Sequence, residues 1–440
     1  MKHFLFFLAT FWSLTLTAQY KTTVTPVKSW PLITSPDFLS YSNEWNDFLL
    51  FPRTEGQEKI YSLLMIDRAT DDVHLSSDIR VATQVGDNHF SLAGIALAGR
   101  NLTAFVESRN FKTGRNVMAM QAVDNNGGLT SEGMLVGYFD FEKKEQPGTW
   151  HISSTPDQKS ITLIAQLPQE SSGRERFKYF FLNENLTIIH KGEFAVDHAE
   201  DEALRIRQFL PSNEGEMFII AEGSEKNKWF PHIYKSNIKA TGSTELLLNG
   251  LDAGDENSDC RGIINRNGEL IVAGYRRKKT IPEGKTSGIT GTWMFSSATG
   301  VVKVNAISAA SLSLKPLNLI CNKDTYFLIG QTATGFYVTG FASDGLKKFD
   351  IPVSSNLSVG ASKNESWIAS GILQGKLCLV YNESGVKVIA INNEGISEPG
   401  ATVDNLAGKE SSILPAYVAN DDHILTLSKT ESQTKLIFIR

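Results

Sequence analysis

Cysteine is scarce in this 440-residue chain: Cys260, Cys321 and Cys378 are all it has. An odd number without regular spacing excludes a disulfide framework and thiolate metal motifs. The three are expected as free thiols, with Cys321 and Cys378 as small buried residues of apolar strands. No Cys-x-x-Cys-His run exists for haem, and no His-Glu-x-x-His or other zinc spacing occurs. There is no basic excess: 43 Lys and Arg face 48 Asp and Glu, a net charge of −5. That excludes the electrostatic footprint of a nucleic-acid binder. Past the first residues, no run approaches the ~20 apolar residues of a transmembrane helix, and helical periodicity is missing as well. Gly284-Lys285-Thr286 has Lys279 where a phosphate-binding loop needs its first Gly, and Ser131 lacks the Gly of a nucleophile elbow because Leu129 stands there.

The start of the chain has the grammar of an export signal. Lys2 supplies a positive charge, a thirteen-residue apolar run follows at 4–16, and Thr17-Ala18-Gln19 is polar. Residues 1–18 are expected to be a signal peptide and 19–440 a single domain. Thirteen residues cannot span ~30 Å of hydrocarbon. No cysteine lies near the junction, so a lipoprotein is excluded. The expected product is exported, periplasmic or extracellular, and a monomer.

What the chain does have is a repeat. Short apolar runs recur throughout: Asp47-Phe-Leu-Leu-Phe, Asn101-Leu-Thr-Ala-Phe, Ile161-Thr-Leu-Ile-Ala, Met217-Phe-Ile-Ile-Ala, Leu270-Ile-Val-Ala-Gly, Tyr326-Phe-Leu-Ile-Gly, Leu377-Cys-Leu-Val-Tyr and Ile424-Leu-Thr-Leu. Their starts are 47–60 residues apart. Such a period marks one supersecondary unit per repeat. In the sixth unit, four strands are expected at 316–321, 326–330, 336–341 and 346–353, with Ser343-Asp344-Gly345 as a hairpin turn. The second unit repeats this at 90–97, 101–106, 117–123 and 129–136. The eighth unit has only three runs, and residues 21–28 are an unassigned strand-like segment. Pairing the two would close the ring and hide both edges.

These repeats resemble β-propellers as a class, over residues 20–440. Units five and six also resemble the delta-60 type of repeat, in Gly268-Glu-Leu-Ile-Val-Ala-Gly274 and in the run from Phe336 to Gly345. The resemblance implies an all-β propeller of eight four-stranded blades closed by the N-terminal strand, with seven blades as the alternative. It carries over no functional residue.

Propeller faces bind through loops that vary without disturbing the sheets. The loops between second and third strands are long and basic in units two to five: Arg109, Lys112 and Arg115; Arg174 and Arg176; Lys226 and Lys228; Arg276, Arg277, Lys278, Lys279 and Lys285. Loops between units are acidic at 197–202 and 252–259. The first strands should begin at the rim of the channel, with Phe90, Trp150, His151, Arg205, Arg207, Arg261 and Trp367 there. Aromatic rings beside guanidinium groups suit stacking and ion pairing with a ligand. No cofactor is required, but Asp255, Asn257 and Asp259 have the alternation that opens a calcium loop. Cys260 and Arg266 stand where such a loop needs Gly and Glu.

The expected function is an exported, non-catalytic binding or scaffold protein that recognises a protein or glycan partner on one propeller face. The alternative is a carbohydrate-active hydrolase or lyase in the channel, with His151 and the 197–202 cluster as acid/base candidates. A calcium-stabilised adhesion module is a third reading.

Overall fold

The computed structural model describes residues 22–27, 39–42 and 45–55, and most of 58–439. Left out within that last span are 71, 83, 100, 124–128, 130–132, 169–172, 200–202, 226–227, 238–241, 249–250, 252–254, 257–259, 279–288, 308–313, 332–334, 354–366, 383–385, 403–411, 420–422 and 430–433. The signal-peptide expectation falls on residues outside the described ones.

The second strand of each repeat is the reason for the fold. Ile161–Gln166 and Thr325–Gln331 are buried along nearly their whole length, on both faces. A strand that is apolar on both faces must be covered by a sheet on each side. The fourth strands read differently: Ile188–Asp197 and Val301–Ala306 are exposed at about every other position or more. So the sheets stack face to face with their fourth strands outermost. The packing is visible as separate apolar layers between successive sheets. One joins Phe105, Met120, Trp150 and Leu163, another Phe177, Phe209 and Ile219, and another Tyr275, Met294, Leu328 and Tyr337.

Seven sheets are built from consecutive strands, beginning at Leu39–Ser42, Gln84–Val85, Thr149–Ser154, Ala203–Pro211, Asp255–Glu256, Lys315–Asn322 and Trp367–Leu373. They are called the first to seventh sheets below. The remaining sheet is composite. Its order is Thr22–Val27, Thr434–Ile439, His423–Lys429, Ser412–Ala419. Thr22 lies opposite Ile439 and Val27 opposite Thr434 in an antiparallel register. The all-β propeller expectation holds, and the N-terminal strand pairs where the eighth repeat lacked a partner.

A buried pair joins the composite sheet to the first. His423 Nε2 lies 3.0 Å from Asp47 Oδ2, both side chains fully buried. Ser42 donates to the other carboxylate oxygen of Asp47. The first strands are laced to their neighbours too. Ser154 Oγ donates to Leu97 O, Ser153 Oγ to Phe209 O, Gly262 N to Gln208 Oε1, and Asn318 Nδ2 to Ser370 Oγ.

Turns follow the sequence signals. Gly345 and Gly395 take positive φ, +83° and +82°, where the Asp-Gly and Glu-Gly turns require it. The four strands of the sixth unit lie at Lys315–Asn322, Thr325–Gln331, Phe336–Ala342 and Lys347–Pro352, within a residue or two of expectation. The fourth strand of the second unit does not. It runs Met134–Asp140 rather than over 129–136, and Leu129 makes only a lone bridge with Val123. The apolar residues that this strand buries are Val136 and Phe139, which fixes it later in the chain than the sequence pattern suggested. The three cysteines are free thiols; Cys260 and Cys378 are buried and Cys321 is partly exposed.

Candidate functional site

The end of the second strand carries a repeated polar residue. It is Glu107 in the second sheet, seventh from Asn101, and Gln166 and Glu222 in the third and fourth, sixth from Ile161 and Met217. On the first strands, Ser91, Thr149 and Arg205 stand directly opposite them. A polar row therefore crosses three sheets at one level, on the side where the first strands begin.

In the second sheet the centre is Glu107, only 5 % exposed. Its Oε1 accepts from Arg109 Nε at 2.8 Å and Asn116 Nδ2 at 2.7 Å, and Oε2 accepts from Ser91 Oγ at 3.3 Å. Asn116 in turn accepts from Trp150 Nε1 at 3.0 Å. Trp150 is 6 % exposed and packs against Phe139 and Phe180. The sequence placed it at the rim for stacking. Its indole is instead between sheets, where it orients Asn116 and offers no free face.

In the fourth sheet Glu222, 3 % exposed, pairs with Arg207 Nη2 at 2.5 Å. Arg207 is the extra residue of a β-bulge, because the register jumps from Ile206 to Gln208. A bulge re-aims one side chain out of the alternation, which lets both Arg205 and Arg207 serve the same level. Arg205 is exposed. Arg261, by contrast, is bound into the scaffold: Nε donates to Leu317 O and Nη1 to Cys260 O.

The third sheet differs. Gln166 Nε2 donates to Glu175 Oε2 at 3.2 Å, and Gln166 also bonds the His151 ring. His151 stacks at 4.7 Å on Phe209, and burial lowers its pKa against that hydrogen bond. Glu175 is 8 % exposed. Burial raises its pKa, opposed by the Gln166 hydrogen bond and by the nearby His198. The sequence offered His151 and the 197–202 cluster as separate acid/base candidates. The fold brings His151 and His198 to the two ends of one chain through Gln166 and Glu175.

The basic loops are largely neutralised by their neighbours. Arg174 pairs with Asp197, Arg176 with Glu193, Arg115 with Asp140 and Lys112 with Asp87. Asp255 and Glu256 form a short strand in register with Lys278 and Arg277. Asn257 and Asp259 of the calcium pattern, and Lys226, Lys279 and Lys285, lie outside the described residues. Arg276 is half-buried at the end of its strand. Trp367 opens the first strand of the seventh sheet opposite Tyr381. Among the described residues, no three His, Cys, Asp or Glu side chains could share a metal ion.

Glu107, Gln166, Glu175 and Glu222 were missed from sequence. Three of them close the apolar run, Glu107 one place later than Gln166 and Glu222, a signal visible once the strands are aligned. Glu175 has no such repeat position.

No family model matches this chain, and no curated relative matches. Solved structures do. A prolyl endopeptidase matches at 12 % identity over 94 % of this chain and 55 % of its own length, TM-score 0.45. The β-propeller domain of the Trilobed protease from Pyrococcus furiosus matches at 12 % identity, over 81 % of this chain and 94 % of that domain, TM-score 0.41. Acylaminoacyl peptidase of Pyrococcus horikoshii matches at 8 % over 88 % and 56 %, TM-score 0.40. The chain thus spans just over half of the two whole peptidases, and at such identities the likeness concerns the fold. The expectation of a non-catalytic binding or scaffold protein for a protein or glycan partner, with a carbohydrate-active alternative, is corrected on this finding. The propellers that this chain resembles in fold belong to peptidases.

Proposed function

We propose that this chain is a peptide-handling propeller, which receives an extended peptide across the polar row of the second to fourth sheets. The observation that carries this reading is that the charges of the row are mostly paired within the protein. Arg109 with Glu107 and Arg207 with Glu222 present dipoles and hydrogen-bonding edges rather than a net field. A peptide backbone, with an N–H and a C=O every ~3.3 Å, is neutral and dipolar and suits such a surface. A polyanion would gain little from Arg109 and Arg207, whose charges are already neutralised. The leader-like residues 1–18 support an exported setting for this activity.

Calorimetric titration with unstructured peptides of six to twelve residues tests it. Peptides are expected to bind, with affinity changing less than about threefold between low and high salt, since paired charges leave little to screen. The Arg207→Gln, Glu222→Gln double variant should weaken binding about tenfold, roughly the value of one charge-assisted hydrogen bond. Failure of every peptide to bind the folded chain, or tight and steeply salt-dependent binding of a polyanion, would overturn the reading.

A further inference from the structure

The three buried glutamates here, Glu107 and Glu222 of the row and Glu175 beside it, are not equivalent. Glu107 and Glu222 each have a guanidinium in hydrogen-bonding contact. Among the described residues Glu175 has none, although two arginines flank it in sequence. Arg174 is turned to Asp197 and Arg176 to Glu193. Alternation along Arg174–Leu182 explains this, since neighbours on a strand point to opposite faces. What Glu175 does have is one amide hydrogen bond, to Oε2. At the two ends of its chain, the Nε2 atoms of His151 and His198 are buried without a hydrogen-bond partner. A carboxylate that is more than nine-tenths buried without a counter-ion is costly, and such groups concentrate at ligand sites.

We infer that Glu175 is the acceptor of a primary ammonium group carried by the ligand. The geometry selects the class. No third His, Cys, Asp or Glu joins it among the described residues to hold a metal ion. Gln166 already takes one lone-pair site of Oε2, so a guanidinium fork would have to share that oxygen, whereas a compact cation can take Oε1 alone. An ammonium is a point charge that needs one good acceptor and tolerates His198 and His151, when neutral, as further acceptors. A lysine side chain and a free peptide amino terminus carry the same group.

This inference rests on the peptide reading, and the test separates the two. Four probes are titrated into the wild-type chain and into Glu175→Gln: an N-acetylated lysine peptide, its norleucine counterpart, a lysine-free peptide with a free amino terminus, and n-butylamine. Thermal unfolding of the variant confirms that it folds. The lysine or the free-terminus peptide should bind the wild-type chain about tenfold more tightly than the norleucine peptide, and Glu175→Gln should erase that difference only. Which of the two shows the gain identifies the source of the ammonium. If peptides bind without preference and Glu175→Gln changes nothing, the ammonium site is overturned while the peptide reading stands. If n-butylamine binds through Glu175 and peptides do not, the site stands and the peptide reading falls. If nothing binds, both fall.

Discussion

Glu175 also makes a statement about stability. Burial raises its pKa above the ordinary glutamate range. The folded state therefore holds this proton more tightly than the unfolded chain. The contribution is fully present at acid pH and is lost as pH rises through the raised value. Glu175→Gln removes the cost of burying the charge. The variant should melt at a higher temperature than the parent at pH 7, and the gap should close as pH falls to about 4, where glutamate approaches its ordinary pKa. The groups that bear on it are His198 from the loop after its partner strand, His151 through Gln166, and Arg174 and Arg176, both engaged elsewhere. Ammonium binding runs the other way, since it needs the carboxylate ionised, and should weaken as pH falls into the raised titration range. Scanning calorimetry across pH, with and without amine, measures both. A parent and variant that keep a constant gap from pH 4 to 8 would refute the role assigned to this carboxylate.

At the level of strands, what was legible is what repeats. The apolar middle strands could be aligned by eye, and the turns at Gly345 and Gly395 announce themselves by Asp-Gly and Glu-Gly. What was not legible is which face an aromatic takes. Trp150 begins its strand, and one register step decides between channel and inter-sheet layer. The partner that decides it, Asn116, sits 34 residues away on another sheet. Trp150→Phe should keep the packing with Phe139 and Phe180 and lose only the Nε1 hydrogen bond. Asn116 is fully buried, so stability should fall by about 1–3 kcal/mol. Close packing between sheets sets a second test. A Cβ at Gly330 would collide with the hydroxyl end of Tyr275, which is itself buried between the fifth and sixth sheets. Gly330→Ala should cost about 1–3 kcal/mol by overpacking, and Tyr275→Phe in the same chain should recover part of it. Urea unfolding gives all of these values.

The whole molecule is held closed at one place. The ends of the chain meet in the composite sheet, and that sheet meets the first through His423 and Asp47. The N-terminal pairing was readable as a missing strand at one end and a spare one at the other. The buried pair beside it was not, because Asp47 stands only as the head of an apolar run and His423 belongs to no pattern in the sequence. Both are fully buried, and Ser42 takes up the second oxygen of Asp47. Removing one partner of such a pair leaves the other without its counter-group in the interior, which costs about 3–5 kcal/mol. His423→Ala and Asp47→Ala should each lose that much. The double variant should lose much less than the sum, since neither partner is then left without its counter-group. Deleting residues 19–28 attacks the same closure from the sheet edge. It exposes the strand Thr434–Ile439 along its length, and the expected result is both lower stability and association through the bared edge. Denaturant unfolding with light scattering on the four variants tests this. Additive losses from the two point substitutions would mean that His423 and Asp47 act separately. A deletion variant as stable and monodisperse as the parent would mean that the ring does not depend on its N-terminal strand.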